Sequence, residues 1–183
     1  MPPPLPHVGG VEHRYATVNG VRLHYAEAGS PAAEPVVLQH GWPQHWWIWR
    51  DLIGPLSERF RVIVPDLRGH GWSEKPARSY RKDVLMRDEF ALLDELDIER
   101  VRWVGHDWGA WVGMLAALRH PERIERFVSL SIPHPWPRER HVLKTLSTGW
   151  YQVVLASPGL GKLAVARLGM PKLMLSEAPM RIL

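Results

Sequence analysis

The sequence predicts an α/β fold in which crossover helices flank a largely parallel sheet. Two observations support this prediction. Short apolar, β-branched runs alternate with longer stretches of helical periodicity, and one such run ends in a glycine-flanked turn that leads directly into a helix. Parallel strands joined by right-handed crossovers bring their carboxyl ends to one edge of the sheet. We therefore expect functional side chains in the turns that follow the strands.

Composition restricts the possible functions. The 183 residues, 45% of them hydrophobic, are sufficient for one domain with a substantial core. The absence of cysteine excludes disulfides and thiolate catalysis. No window reaches the roughly 18 apolar residues of a membrane span, and no secretory pattern is visible, so we expect a cytoplasmic protein. The basic residues after Ile132 are dispersed without a nucleic-acid motif, which favours a solvated surface over a nucleic-acid contact.

The first half of the chain begins with a predicted antiparallel hairpin. Residues 12–28 alternate around Asn19 and Gly20, a dipeptide that favours the positive φ angles of a tight turn. Three further elements follow before the midpoint: a buried strand (residues 35–39), a helix (about 46–58) and an apolar strand (60–65). A loop over residues 66–73 then ends this half.

The second half continues the alternation of helices and strands. Its predicted elements are a helix (about 79–96) with Met86, Phe90 and Leu93 on one face, a strand around 101–104, a helix (108–118) in which Trp111, Met114, Leu115 and Leu118 recur at helical spacing, and a strand-like run (124–132). Three prolines follow Ile132, and the remainder is apolar and helical. The pattern predicts a core of residues 1–132 and a partial helical lid, or cap, of residues 133–183.

The turn after the fifth strand carries the most reactive residue in this interpretation. Gly105 and Gly109 flank Asp107, and glycines there allow a strained turn that lifts the central side chain above the sheet. A carboxylate is ionised at neutral pH and can attack saturated carbon to give an alkyl ester. The alternative is an aspartate that caps the following helix. Because the spacing of Gly105, Gly109 and Gly113 does not fit a dinucleotide site, we interpret them as packing glycines.

Three motifs occur in order along the chain. They are His40-Gly41-Trp42-Pro43, Asp66-Leu67-Arg68-Gly69-x-Gly71-x-Ser73 and Gly105-His106-Asp107-Trp108-Gly109. Together they resemble the α/β hydrolases of the epoxide hydrolase and haloalkane dehalogenase type, over nearly the whole chain. The resemblance implies an α/β-hydrolase fold with a lid after the sixth strand. It also implies that Asp107 is the nucleophile and that the backbone N–H groups of Trp42 and Trp108 form an oxyanion hole.

The lid sequence around Tyr151 is similar to the segment in which epoxide hydrolases carry the first of two tyrosines that bind the epoxide oxygen. The resemblance implies attack by Asp107 on a small apolar epoxide and release of a vicinal diol. A phenol of pKa about 10 can donate a hydrogen bond and then a proton to the alkoxide. Alternatively, Tyr151 is an interfacial lid residue. Dehalogenases use the same nucleophile, and Trp136 or Trp150 leaves a halide site possible.

The family's water-activating histidine and its orienting acid normally follow the lid, and no substitute is found in this sequence. His106 is interpreted as structural, and Ser131 occupies an alternative position for the acid. No cofactor is expected, and no metal, because His40 and His45 lack a third ligand. We expect the sequence to be partial, without the C-terminal part of the core. The competing hypothesis is a non-catalytic protein that binds small apolar ligands or a partner.

Overall fold

The structure is a computed structural model that describes residues 4–77 and 79–132, together with Ser157 and Leu163. Contacts divide the chain into two units, Met1–Ile132 and Pro133–Leu183, and all the elements below belong to the first. Tyr151 and the rest of the predicted lid, apart from Ser157 and Leu163, lie outside the described residues. Within the described ranges, every helix is too short or too polar to cross a membrane.

Strands and helices alternate through the described residues, as predicted. In chain order they are β1 (Glu12–Val18), β2 (Val21–Ala28), β3 (Glu34–Gln39), α1 (Arg50–Ser57), β4 (Phe60–Pro65), α2 (Lys82–Glu95), β5 (Val101–His106), α3 (Trp108–Arg119) and β6 (Ile124–Leu130). They form a six-stranded sheet of order β1-β2-β4-β3-β5-β6. Strand β2 pairs antiparallel with β1 and β4, and the remaining pairs are parallel. The predicted largely parallel α/β architecture is confirmed.

The β1–β2 hairpin forms at the predicted dipeptide. Asn19 has φ 49° and Gly20 has φ 73°, and Val18 pairs directly with Val21 across the two-residue turn. Two consecutive positive φ angles give the turn a twist that matches that of the strands it joins. The hairpin therefore has the register that the sequence indicates.

The core has two layers, one on each face of the sheet. Helices α2 and α3 pack on one face, where Leu85, Leu93 and Trp103 are fully or almost fully buried. Helix α1 packs on the other face, where Ile53 and Val62 are fully buried. Burial on both faces explains why β3 and β4 are continuous apolar runs rather than alternating ones.

Helix α3 buries a different face from the one that its large apolar residues suggest. Leu118 is 62% exposed, and Trp111, Met114 and Leu115 are only partly buried. The residues that face the sheet are small or β-branched: Gly109, Ala110, Val112, Gly113 and Ala116. The reason is the close approach of α3 to β5, which leaves little room for larger side chains against the strand.

Two predicted helix starts also differ from the structure. The chain around Trp46–Trp49 forms a 3-10 helix, and regular α1 begins only at Arg50. Helix α2 begins at Lys82 instead of residue 79, because Ser79 has φ 74° and Arg81 is extended. The second difference places Lys82, rather than Ser79, at the amino end of α2.

Candidate active site

Asp107 lies in a strained turn between β5 and α3. Its φ of 50° and ψ of −117° are unusual for a residue with a side chain, and such conformations cost about 1–3 kcal/mol. Close packing of the flanking glycines holds the turn. A Cβ on Gly105 would lie 2.6 Å from Cα of Ala110, and one on Gly109 would lie 2.6 Å from the carbonyl oxygen of His40. The interpretation of these residues as packing glycines is confirmed.

The Asp107 carboxylate does not cap helix α3. Its side chain makes no hydrogen bond to the N-terminal amides of the helix, although Asp107 occupies the N-cap position. Instead, the backbone N–H of Trp42 donates a 2.9 Å hydrogen bond to Oδ1 of Asp107. The turn after β3 therefore contacts the turn after β5 directly. Gly41, in the first of these turns, permits the close approach, because a Cβ at this position would lie 2.5 Å from the same Oδ1.

The His40 side chain links the turn after β3 to the loop after β4. Its Nδ1 lies 2.9 Å from the carbonyl oxygen of Gly41, and the N–H of Leu67 donates a 3.0 Å hydrogen bond to its Nε2. Complete burial lowers the pKa of His40 to about 4. The imidazole is therefore neutral at neutral pH, which it must be to accept the Leu67 hydrogen bond at Nε2. A cis peptide bond joins Trp42 to Pro43 in the same turn.

The loop after β4 is organised by the buried carboxylate of Asp66. This group accepts hydrogen bonds from the N–H groups of Trp46, at 2.7 Å, and Trp72, at 2.9 Å, and its Oδ2 lies 2.8 Å from Nδ1 of His24. Burial by itself would raise the pKa of Asp66, but the hydrogen bond with His24 and the proximity of His40 keep it below its usual value. Asp66 thus acts as a structural anchor for the loops around the site.

A cavity of about 430 Å³ opens beside these turns. It is lined by residues 42–45 and 69–71, with Tyr80 and Trp108. The rings of His70 and Trp108 meet edge to face at 5.9 Å, and the Tyr80 hydroxyl donates a 2.5 Å hydrogen bond to the carbonyl of Pro76. Burial lowers the pKa of His70. The two candidate oxyanion-hole residues, Trp42 and Trp108, are both among the residues that line this cavity.

Lys82, at the amino end of α2, contacts the candidate oxyanion-hole residue Trp108, which the sequence did not lead us to expect. Its Nζ lies 3.0 Å from the centroid of the Trp108 ring, and the side chain is partly buried. Burial lowers the pKa of Lys82 to about 8, against the opposing effect of the Asp107 carboxylate. A signal was available, because a lysine in the first turn of a helix opposes the helix dipole and needs another reason to be there.

The His106 side chain is hydrogen-bonded beside the elbow. Its Nδ1 lies 3.0 Å from Oε1 of Gln44, in the segment that follows the Gly41–Trp42 turn. This hydrogen bond gives His106 a structural partner next to the elbow. Within residues 4–77 and 79–132, no group of three or more His, Asp or Glu side chains is arranged to hold a metal ion.

The sequence matches a known protein family. A family model described as the alpha/beta hydrolase fold matches residues 34–164, which is more than half of the chain. The chain belongs to the alpha/beta hydrolase family. The match includes both turns of the candidate site and the loop organised by Asp66.

Several relatives of this alpha/beta hydrolase are named epoxide hydrolases. The chain is 43% identical over 122 residues to a soluble epoxide hydrolase of Corynebacterium sp., covering 67% of this chain and 42% of that protein. It is 41% identical over 129 residues to epoxide hydrolase A of Mycobacterium tuberculosis, covering 69% and 40%. The chain thus spans about two fifths of the length of these curated relatives.

Solved structures of both enzyme types resemble this alpha/beta hydrolase. Epoxide hydrolase VrEH1 of Vigna radiata superposes with a TM-score of 0.77 at 34% identity, over 94% of this chain and 59% of that one. A loop variant of the haloalkane dehalogenase DbeA from Bradyrhizobium elkanii superposes with a TM-score of 0.74 at 25% identity, over 86% and 55%. The predicted resemblance to the epoxide hydrolase and haloalkane dehalogenase type is confirmed.

Proposed function

We propose that this alpha/beta hydrolase opens an epoxide to a vicinal diol through an alkyl ester on Asp107. The observation that carries the proposal is the Asp107 carboxylate, which stands in a strained turn, leaves its own helix uncapped and accepts a hydrogen bond from Trp42 at Oδ1. The names of the curated relatives support an epoxide as the substrate class.

In the first half-reaction, the oxygen of Asp107 that Trp42 does not bind attacks an epoxide carbon. The C–O bond of the ring breaks, and its electron pair stays on the epoxide oxygen. In this proposal Tyr151 holds that oxygen, because a phenol hydroxyl donates a hydrogen bond without prior ionisation. The aromatic lining near Trp42 and Trp108 suits a small apolar substrate.

In the second half-reaction, water attacks the carboxyl carbon of the Asp107 ester, and negative charge develops on the ester carbonyl oxygen. The bond between that carbon and the alkyl oxygen then breaks, and overall the two protons of the water balance the two hydroxyl groups of the diol while its oxygen stays on Asp107. The Trp42 N–H already donates to Oδ1, so it is poised to donate to that charge when Oδ1 is the carbonyl oxygen. We assign the Trp108 N–H as the second donor, because it is the first amide of α3. Removal of one such donor typically costs about 3 kcal/mol of transition-state stabilisation.

Haloalkane dehalogenation is the second candidate. It uses the same nucleophile, and the resemblance to DbeA at 25% identity favours it. In that reaction a halide leaves in place of the epoxide oxygen, and no proton needs to be supplied. A third hypothesis, from a different class, is a non-catalytic protein that binds apolar ligands through the same cavity.

The deciding experiment is a single turnover of the protein with styrene oxide in ¹⁸O-labelled water. We expect an Asp107 peptide that gains one substrate mass after an acid quench, and label in the Asp107 carboxylate once diol has formed. Asp107→Asn is the matched control and should give neither product. A wild-type protein that forms ester with 2-phenylethyl bromide but not with styrene oxide would favour the dehalogenase. Absence of both esters, with retained ligand binding, would favour the binding protein.

A further inference from the structure

The imidazole of His70 lies on the wall of the cavity that Trp42 and Trp108 also line. Its ring meets that of Trp108 edge to face at 5.9 Å. Nδ1 of His70 lies 3.1 Å from the carbonyl oxygen of Arg68, so Nδ1 carries a proton and donates it to that oxygen. Among the described residues of the core, Nε2 has no hydrogen-bond partner, yet it is not one of the fully enclosed side-chain nitrogens. Nε2 is therefore accessible to a molecule in the cavity.

The surroundings of His70 make this imidazole a neutral hydrogen-bond acceptor. Burial lowers the pKa of His70, and the positive charges of Lys82 and Lys75 act in the same direction, against the effects of the Arg68 carbonyl and the Asp66 carboxylate. At neutral pH the ring therefore has one proton, at Nδ1, and a lone pair at Nε2. Because positive charge is already close to the ring, a neutral donor fits this position better than an ammonium. A hydroxyl group is such a donor.

The second imidazole of the cavity, that of His45, has the opposite polarity. The backbone N–H of Trp47 donates a 3.4 Å hydrogen bond to Nδ1 of His45, so Nδ1 has no proton. Burial lowers the pKa of His45, and the proton of its neutral ring is therefore at Nε2, which is a donor. The Oε1 atom of Gln44, also in the cavity lining, already accepts a hydrogen bond from His106. A hydroxyl proton in this cavity is thus best received by His70.

We propose that Nε2 of His70 accepts a hydrogen bond from a hydroxyl group of the substrate, so that the cavity selects epoxides with one hydroxyl on an otherwise apolar body. The proposal rests on the proposed function for the reaction and adds the specificity of the same cavity. The rings of Trp42 and Trp108 contact the apolar body, and His70 recognises the hydroxyl. The hydroxyl takes no part in the chemistry, so the contact has the same strength in the ground state and in the transition state. It should therefore lower KM without a change in kcat.

The test compares ligands that differ only by methylation of one hydroxyl, which removes the donor and keeps the oxygen. Cinnamyl alcohol and its methyl ether have no epoxide, so calorimetry with them measures binding alone. The corresponding epoxides, 3-phenylglycidol and its methyl ether, measure KM and kcat.

Two substitutions separate the nitrogens of His70. In His70→Asn the side-chain amide lies near the position of Nδ1, so it keeps a donor for Arg68 and has no acceptor at the position of Nε2. In His70→Gln the side-chain oxygen reaches the position of Nε2 and replaces the acceptor. His45→Asn is the control, because it removes a donor that the alcohol and the ether accept equally well.

We expect the wild-type protein to bind cinnamyl alcohol about tenfold more tightly than the ether, the effect of one neutral hydrogen bond. His70→Asn should bring the two affinities to within about twofold of each other. His70→Gln should restore most of the preference, and His45→Asn should retain it. With the two epoxides, the same pattern should appear in the ratio of their KM values, while the ratio of their kcat values stays constant.

The binding and turnover measurements separate this inference from the proposed function. Equal affinities in the wild-type protein, no binding of either ligand, or a preference that persists in His70→Asn would overturn the role of His70, even if the epoxides are hydrolysed. A preference lost equally in His70→Asn and His70→Gln would make His70 a structural residue and would also overturn it. If the alcohol preference depends on His70 but neither epoxide reacts, the proposed function fails while the hydroxyl contact stands.

Discussion

The backbone N–H of Trp42 donates a hydrogen bond to Oδ1 of Asp107 across 65 positions of sequence. One oxygen of the carboxylate is thereby oriented, and the other is left to react. The arrangement depends on two turns at the carboxyl ends of neighbouring strands, β3 and β5. The reactivity proposed for Asp107 therefore depends on the position of the turn after β3 as much as on Asp107 itself.

Gly41→Ala should slow the reaction of Asp107 by displacing its carboxylate, although the carboxylate itself is unchanged. A Cβ at this position would meet Cβ of Asp107 and lie 2.5 Å from Oδ1. Displacement of the carboxylate by an ångström is expected to slow Asp107 ester formation about 100-fold, measured by peptide mass after single turnover. Gly9→Ala, which meets no atom within 4 Å, is the control. Unchanged ester formation in Gly41→Ala would show that the contact with Asp107 has no functional effect.

Two helical glycines should respond in opposite directions to substitution by alanine. A Cβ on Gly113 of α3 would lie 2.6 Å from atoms of both Trp103 and Phe127, so Gly113→Ala is expected to lower the free energy of unfolding by about 1–3 kcal/mol. Gly54 of α1 is exposed and has no atom within 4 Å. Gly54→Ala should therefore raise the free energy of unfolding by about 0.5–1 kcal/mol. Urea unfolding measures both, and changes of the same sign would contradict the packing interpretation.

The buried ion pair between Arg68 and Asp88 should contribute far more to the free energy of unfolding than an exposed ion pair on α2, the helix that carries Asp88. Both side chains are almost completely buried, and Arg68 donates to both carboxylate oxygens, with 2.7 Å to Oδ1. Asp88→Ala leaves a buried guanidinium unpaired, which typically costs about 3–5 kcal/mol. Arg87→Ala removes an exposed pair with Asp83 and should cost less than about 0.5 kcal/mol. Equal changes in the midpoint of urea unfolding would be inconsistent with this difference.

Glu89→Gln should stabilise the protein at neutral and alkaline pH. Glu89 is buried beside the amide of Gln39, and burial, with the nearby carboxylates of Asp88 and Asp66, raises its pKa well above 4.5. The folded state therefore holds a proton that the unfolded state releases above about pH 4.5, so stability falls as pH rises through this window. One proton corresponds to at most about 1.4 kcal/mol per pH unit.

The measurement is urea unfolding of wild-type protein and Glu89→Gln at several pH values. The advantage of the variant should be absent at acidic pH and should widen as pH rises, until Glu89 ionises in the folded state. Glu95→Gln, at an exposed position of the same helix, is the control and should show no such trend. A constant difference between wild type and Glu89→Gln at all pH values would mean that Glu89 is not protonated in the fold.

Local patterns in the sequence were sufficient to predict the strands, the hairpin at Asn19 and Gly20, and the turn that presents Asp107. These features depend on neighbouring residues: β-branched runs favour strands, and glycines permit positive φ angles. The same patterns gave the wrong face for α3, because large residues such as Leu118 suggest burial by their hydrophobicity alone. Which face of α3 is buried depends on the space between this helix and Trp103 of β5. A local sequence pattern carries no information about that space.

The sequence by itself therefore determined the fold class, the order of the elements and the position of Asp107 after β5. Tertiary structure decided which groups meet at the site: the N–H of Trp42 donates to Oδ1 of Asp107, and the Lys82 ammonium lies over the ring of Trp108. The physical reason is that periodicity describes only the faces of one element. Contacts between turns depend on the order of strands in the sheet, where β3 lies beside β5 although β4 and α2 separate them in sequence.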